Sequence, residues 1–173
     1  MSRVAFIRNY LRSLQGALDE AAAGLSPEQA HWRPDGTGNH IAFVLWHYSR
    51  TVDNIIRFVL QRKPTVWMEG KWDERFGLDS RAQGTGMSPE EASAVSISDL
   101  GDFASYMKII WREADEYLGT VSEGDLEVKV IVRPLGELTL EEILGTVLLT
   151  HGYTHLGEIW MLRSLQGLQG SPL

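Results

Sequence analysis

The sequence predicts an all-α protein, folded as a four-helix bundle with long crossover connections. In four long stretches, apolar residues recur at alternating spacings of three and four, which is the pattern of amphipathic helices. A long polar connection over residues 64–87 follows the second stretch, which favours a bundle with crossover loops. Three Ser/Thr-x-x-Glu/Gln sequences, at Ser26, Ser88 and Thr139, have the pattern of capping boxes that open helices.

The four predicted long helices have recognisable start or stop signals. They cover residues 3–23, 39–61, 99–118 and 139–166. Gly24 ends the first helix, Pro64 follows the second, and Ser98 is expected to cap the third. Residues 128–132 are rich in β-branched side chains, so we expect one short extended segment there.

Composition limits the classes of protein to which the chain can belong. Its 173 residues suit a single domain over 1–173, and 43% apolar residues suffice for a core. The lack of cysteine excludes disulfides and thiolate ligands and is consistent with a reducing cytoplasm. A net charge of −7 without a basic stripe argues against nucleic-acid binding. Because no signal peptide and no apolar run of about 18 residues is recognisable, we expect a cytoplasmic protein without a membrane partner.

His151 and His155 carry the strongest chemical signal in the chain. They stand four residues apart in the fourth predicted helix, so both side chains lie on one helical face. That face is otherwise lined by leucines, and Glu158 lies close to it. Buried polar groups need partners, and one divalent cation would satisfy them together. A pair of hydrogen-bonded core histidines is the alternative that this spacing leaves open.

A metal site would need a third ligand, and three other histidines are candidates. His40 and His47 lie seven residues apart on the second predicted helix and project to the same side. His47 lies deeper in the helix, whereas His40 lies in the first turn and His31 in the loop before it. The spacing favours His47 and leaves His40 and His31 open. Three imidazoles with open coordination positions would make a catalytic site rather than a closed structural one.

Two glycines, Gly152 and Gly157, flank the histidines of the fourth helix. Each weakens a helix by roughly 1 kcal/mol relative to alanine, so a compensating reason for their presence is expected. They could admit the close approach of a neighbouring helix or of a ligand, and simple tight packing is the alternative.

Motifs spread over nearly the whole chain resemble the DinB/YfiT-like superfamily of four-helix-bundle metalloproteins. They are Leu25-Ser26-Pro27-Glu28-Gln29, Trp32-Arg33-Pro34, Ile41-Ala42-Phe43-Val44-Leu45-Trp46-His47, Trp72-Asp73-Glu74-Arg75-Phe76-Gly77, Gly84-Thr85-Gly86-Met87-Ser88-Pro89-Glu90-Glu91, Gly136-Glu137-Leu138-Thr139 and His151-x-x-x-His155-x-Gly157-Glu158-Ile159. The resemblance implies one metal held by three histidines, which correspond here to His47, His151 and His155. Many members carry Gln at the position of Glu158, so we expect Glu158 to orient a ligand or a water rather than to bind the metal.

The resemblance also implies a function. Characterised members include a mycothiol-dependent maleylpyruvate isomerase and bacillithiol S-transferases. We therefore expect thiol-dependent S-transferase or isomerase chemistry, with a low-molecular-weight thiol as co-substrate and a small-molecule substrate. The expected cation is Zn²⁺ or Ni²⁺, with Fe²⁺ or Co²⁺ also suited to imidazole ligands. Arg50 and Arg133 are candidates to hold an anionic group, and the resemblance implies a homodimer.

Two other functions could use the same residues. A metal-dependent hydrolase would attack with a metal-bound hydroxide, with Glu158 as its base. A non-enzymatic metal- or small-molecule-binding module belongs to a different class. Its pocket could be lined by tryptophans, namely Trp46, Trp67, Trp72, Trp111 and Trp160. An enzyme predicts an open coordination position facing a cavity, whereas a structural site predicts a fourth protein ligand and no cavity.

Overall fold

Four long helical rods make up most of the protein, as predicted. The computed structural model describes residues 1–172. Its α-helices are α1 (Arg3–Ala22), α2 (Pro27–Ala30), α3 (Ile41–Asp53), α4 (Val66–Glu69), α5 (Trp72–Phe76), α6 (Pro89–Ala94), α7 (Leu100–Leu118), α8 (Leu140–Glu142) and α9 (His151–Leu165). Helix α3 continues directly into a first π-helix (Asn54–Leu60), and a second π-helix (Ile143–Thr150) joins α8 to α9. Short 3₁₀-helices cover Pro34–Gly36 and Gly124–Glu127. The all-α class is therefore confirmed.

The hydrophobic core lies between the four rods. Helix α1 begins after Ser2, whose hydroxyl accepts a hydrogen bond from the N–H of Ala5, and it buries one apolar stripe that includes Leu11, Leu14 and Leu18. Helix α3 packs against α7 and α9, and α1 packs against the same two helices. The stripes that predicted the helices thus face one another inside the bundle.

Two helix starts differ from the sequence prediction by one or two residues. Helix α3 begins at Ile41, because the Nδ1 atom of His40 caps it by accepting a hydrogen bond from the N–H of Phe43 at 3.0 Å. Helix α7 is capped by Asp99, whose carboxylate accepts from the N–H of Asp102 at 2.8 Å. The prediction that Ser98 caps this helix is wrong, since the acidic residue beside it takes that position.

The long connection after α3 is folded onto the bundle. It contains α4 and α5, whose Trp67, Trp72 and Phe76 are buried. The buried carboxylate of Asp53 accepts hydrogen bonds from the N–H groups of Val66 and Trp67, both at 2.9 Å. These bonds fasten the start of α4 to the end of α3 and bring the rest of the connection back alongside α3.

A small antiparallel hairpin precedes the last rod. Strand β1 (Lys129–Val132) pairs with β2 (Gly136–Thr139), and Val132 lies opposite Gly136. The expected extended segment is confirmed as β1, whereas its partner strand was not predicted. Strand β1 contacts the first π-helix, so the hairpin turn lies beside the second long rod, which consists of α3 and this π-helix. Within residues 1–172, none of the helices combines the length and the apolar character needed to cross a bilayer.

Candidate metal centre

Three histidine side chains from helices α3 and α9 lie close together in the bundle. His47 lies on α3, and His151 and His155 lie in the first turns of α9. The Nε2 atom of His151 is 3.2 Å from that of His47 and 2.7 Å from that of His155. One ligand atom from each of the three residues lies within 4.8 Å of the other two. The structure therefore brings together the three histidines that the resemblance implied.

The outer nitrogen of each ring faces a hydrogen-bond acceptor. Nδ1 of His47 is 2.5 Å from the backbone oxygen of Gln83, and Nδ1 of His155 is 2.7 Å from a carboxylate oxygen of Glu158. His151 interacts with the backbone of Val147, four residues earlier, and its Nε2 faces the other two rings. These acceptors favour a proton on Nδ1, which leaves Nε2, the atom that faces the other two rings, available as a ligand.

This geometry fits one divalent cation. A tetrahedral zinc ion with bonds of about 2.0–2.1 Å separates its nitrogen ligands by about 3.3 Å. The Nε2 atoms of His47 and His151, 3.2 Å apart, are close to this separation, whereas those of His151 and His155, 2.7 Å apart, would have to move apart by about 0.6 Å. Three lone pairs that face one another repel, and a cation between them would reverse the sign of that interaction. The three-histidine group could therefore bind a divalent metal, as expected from the sequence.

Burial keeps two of the imidazoles neutral. Removal from water lowers the pKa of His47, and it lowers the pKa of His151 to about 4, where the neighbouring rings of His155 and His47 act in the same direction. Both rings are therefore deprotonated near pH 7, and the neutral imidazole is the form that binds a metal.

The other two candidate histidines lie outside this cluster. His40 is only 1% exposed and uses Nδ1 to cap α3. The Nε2 atom of His31 accepts a hydrogen bond from the N–H of Ile97, and its Nδ1 lies 2.7 Å from the backbone oxygen of Pro27. Both residues therefore have structural contacts, and the alternative of either as third ligand is not supported.

Arg50 secures the loop that supplies the acceptor for His47. Its guanidinium donates to the backbone oxygens of Ala82, at 3.2 Å, and Ser80, at 3.1 Å, and it lies 3.4 Å from the carboxylate of Asp53. The side chain is 3% exposed. The expectation that Arg50 holds an anionic substrate is therefore wrong, because its donors already bind the residues that precede Gln83.

Gly84 allows the loop to approach the imidazole closely. Its φ is +89°, and a Cβ at this position would lie 2.8 Å from Nδ1 of His47 and 3.1 Å from Cζ of Phe43. A larger residue would be strained and would also displace the ring. Neither Gln83 nor Gly84 was predicted as a site residue, although the Gly-rich composition of the long connection is a signal of close backbone approach.

The three histidines line a cavity of about 680 Å³. Its walls are formed by α3 and the first π-helix, by the loop from Gln83 to Pro89, by the turn of the hairpin and by the second π-helix. The tryptophans proposed as pocket residues do not line it; four of them, Trp46, Trp67, Trp72 and Trp111, are core residues at most 7% exposed. The interpretation of the tryptophans as pocket residues is therefore wrong.

Comparisons with known proteins agree with this architecture. The chain is similar to a protein from Enterococcus faecalis whose crystal structure is described as that of a conserved protein of a locus. The TM-score is 0.81 and the sequence identity 20%, over 95% of this chain and 97% of that chain, which shows a shared fold. No functionally curated protein matches the chain. The sequence profile of the DinB superfamily matches residues 10–159, a span that contains all three histidines of the cluster, and the chain therefore belongs to the DinB superfamily.

Proposed function

We propose that the protein is a metal-dependent enzyme that uses a low-molecular-weight thiol to attack a small electrophilic substrate. His47, His151 and His155 would hold one divalent cation, Zn²⁺ or Ni²⁺ foremost. When bound by these histidines, the cation would act as a Lewis acid and favour the deprotonated form of a thiol near neutral pH. The observation that carries the proposal is the convergence of three Nε2 atoms on the wall of an open cavity.

The composition of the cluster supports a catalytic site rather than a structural one. Within residues 1–172, no fourth His, Asp or Glu joins the three histidines in a common ligand group. Closed structural zinc sites use four protein ligands, whereas catalytic sites use three and leave a position for water or substrate. The adjoining cavity of about 680 Å³ is in the range of small-molecule sites, which a purely structural metal does not need.

Gln83 and Glu158 would act as positioning residues. The backbone oxygen of Gln83 and the carboxylate of Glu158 fix the rings of His47 and His155 by accepting from their outer nitrogens. Such partners orient a metal-binding imidazole and raise its basicity. Glu158 does not line the cavity. This placement argues against the hydrolase alternative in which Glu158 acts as the base.

Metal analysis tests the site directly. The protein is purified without nickel affinity resin, and its metal content is measured by mass spectrometry. We expect one metal per chain, with His47→Ala and His155→Ala abolishing uptake. His31→Ala is the matched control, because it removes an imidazole outside the cluster and should leave the stoichiometry unchanged. Full stoichiometry in the His155→Ala variant would rule out the proposed site.

An activity screen tests the chemistry. The metal-loaded protein is incubated with low-molecular-weight thiols and a panel of electrophiles, and in parallel with esters and amides without a thiol. We expect loss of free thiol that depends on the metal and on His47. Turnover of esters or amides alone would favour the hydrolase, and no turnover with either panel would favour a binding module. The homodimer implied by the resemblance stays a prediction, which sedimentation analysis can check.

A further inference from the structure

The charge distribution around the cavity is unlike that of the whole chain. The protein has 23 acidic residues against 16 Lys and Arg residues, yet within residues 1–172 no Asp or Glu lines the cavity. Among the residues that do, Arg133 alone carries a full charge. Because the acidic side chains all lie elsewhere, an anion can enter this cavity without meeting a carboxylate on its wall.

Arg133 is held at the cavity by the hairpin. It directly follows β1, whose last residue, Val132, is 4% exposed and paired with Gly136 of β2. An ion pair between Lys129 and Glu137, at 2.9 Å, joins the two strands further along. The turn of the hairpin therefore connects two paired strands, and the exposed residue Arg133 extends from it at the wall of the cavity.

The guanidinium of Arg133 has no competing partner within the described part of the chain. No hydrogen bond or ion pair to it occurs within residues 1–172. Several other arginines have such partners, for example Arg8, which lies 2.8 Å from the carboxylate of Asp115. The donors of Arg133 are therefore free for a ligand, and a planar guanidinium can bind a carboxylate through two parallel hydrogen bonds.

The remaining wall is largely apolar. Side chains of α3, the first π-helix and the second π-helix contribute Phe43, Ile55 and Val147, and the loop and the hairpin contribute Met87 and Leu135. An apolar wall of this extent favours a ligand with a hydrocarbon or aromatic body. Within residues 1–172 no lysine lines the cavity beside this guanidinium, and one guanidinium matches a monoanion such as a carboxylate better than a dianionic phosphate.

We propose that the cavity binds a small amphipathic carboxylate, whose apolar body lies between the helices and the hairpin and whose anionic end is held by Arg133. The inference rests on the proposed function in that the other end of the ligand would reach the three histidines. The carboxylate could belong to the thiol or to its electrophilic partner, and the two arms of the test distinguish these sources.

The first arm uses metal-free protein and a matched pair of probes that lack a thiol. The dissociation constants of 4-phenylbutyrate and 4-phenylbutanol are measured by NMR titration at low salt. We expect the carboxylate to bind about tenfold more tightly, which corresponds to about 1.4 kcal/mol. Arg133→Ala should reduce the ratio to about one without weakening the alcohol. Arg112→Ala, which removes an exposed arginine outside the cavity, should keep the ratio.

The second arm uses Co²⁺-loaded protein and a matched pair of thiols. Binding of 6-mercaptohexanoate and 6-mercaptohexanol is followed by the absorbance of the cobalt ion. A preference for the carboxylate in this arm alone assigns the anion to the thiol, and a preference in the first arm alone assigns it to the electrophile. Both preferences should vanish in Arg133→Ala and persist in part in Arg133→Lys.

The outcomes separate this inference from the proposed function. If both thiols bind cobalt equally and neither arm shows a preference, the metal chemistry stands and the role of Arg133 is refuted. If cobalt is not taken up but the first arm shows the preference, the proposed function fails and the anion site stands. A preference that survives in Arg133→Ala, or no binding of any probe in either arm, overturns the inference.

Discussion

Helix α9 packs closely against its neighbours at Gly152, and replacing this glycine by alanine should destabilise the protein. A Cβ at this position would lie 2.5 Å from Cδ2 of Leu14 and 2.6 Å from Cζ of Tyr48. Leu14 can move its terminal methyl, but the tyrosine ring is fully buried and its hydroxyl donates to the backbone oxygen of Leu148 at 3.1 Å. The extra methyl group must therefore push α9 away from α3 or break this hydrogen bond.

The same helix offers a matched control at Gly157. A Cβ there would meet no neighbouring atom of residues 1–172 within 4 Å, so Gly157→Ala tests helix propensity alone and should stabilise by up to about 1 kcal/mol. Overpacking in a core costs about 1–3 kcal/mol. Because the propensity gain is common to both substitutions, Gly152→Ala should be less stable than Gly157→Ala by about 1–3 kcal/mol.

The assay is urea unfolding of the metal-free proteins, followed by circular dichroism at constant pH. The difference in the free energy of unfolding between the two variants is the quantity of interest, and it should appear as a lower midpoint at similar slope. Equal stability of Gly152→Ala and Gly157→Ala would refute the reasoning, because it would mean that α9 has room for a side chain against α3.

Substitutions at three further positions test the surroundings of the histidine cluster and the cap of α3. Gly84→Ala places a methyl group against His47, so we expect the metal affinity, measured by competition with a chelator, to fall about tenfold or more. Glu158→Ala removes the acceptor for His155 and should lower the affinity about 10–100-fold, whereas Glu158→Gln keeps an acceptor and should lose less. Burial lowers the pKa of His40 from 6.5 to about 4, so acid protonates the unfolded chain first. The contribution of neutral His40 to the free energy of unfolding is complete above about pH 6.5. This contribution is lost as the pH falls toward 4, by at most about 3 kcal/mol. His40→Asn keeps a capping acceptor and should reduce the pH dependence of the free energy of unfolding of the metal-free protein.

Each of these expectations has a clear contrary result. Unchanged metal affinity in Gly84→Ala would show that the loop does not press on His47. Equal affinities of Glu158→Ala and the parent protein would remove the orienting role of Glu158. If His40→Asn kept the pH dependence of the parent, the acid sensitivity would have to come from other groups.

The sequence predicted the long helices and two of the three histidines of the cluster for physical reasons. Apolar stripes have to face a core, so α1 and α7 could be placed to within a few residues. A spacing of four puts His151 and His155 on one face of any helix. His47 was harder, because His40 lies two turns away on the same side. Its position deeper in the helix favoured His47, and the resemblance completed the assignment. The reason that His40 is excluded, its hydrogen bond as the cap of α3, is a structural contact that spacing does not encode.

The features that the sequence did not predict are those that depend on tertiary contacts. The two π-helices have a wider turn than the period of 3.6 residues used to read the apolar pattern. The short helices α4 and α5 lie in a stretch whose apolar pattern is weak. They are stabilised by hydrogen bonds to Asp53 and by the burial of their aromatic side chains in the core. The acceptor from Gln83 is a backbone oxygen, which every residue possesses, so no residue type could have marked it.

The bond between His47 and the oxygen of Gln83 would make a surface loop part of the environment of a cation bound by the three histidines. Thermodynamic linkage is reciprocal. The factor by which contact of the loop with His47 would raise the affinity for a cation is therefore the factor by which a bound cation would favour that contact. That loop is also one wall of the cavity. Binding of a cation by the three histidines and the shape of the cavity would therefore be coupled. A substitution that changed one would also change the other.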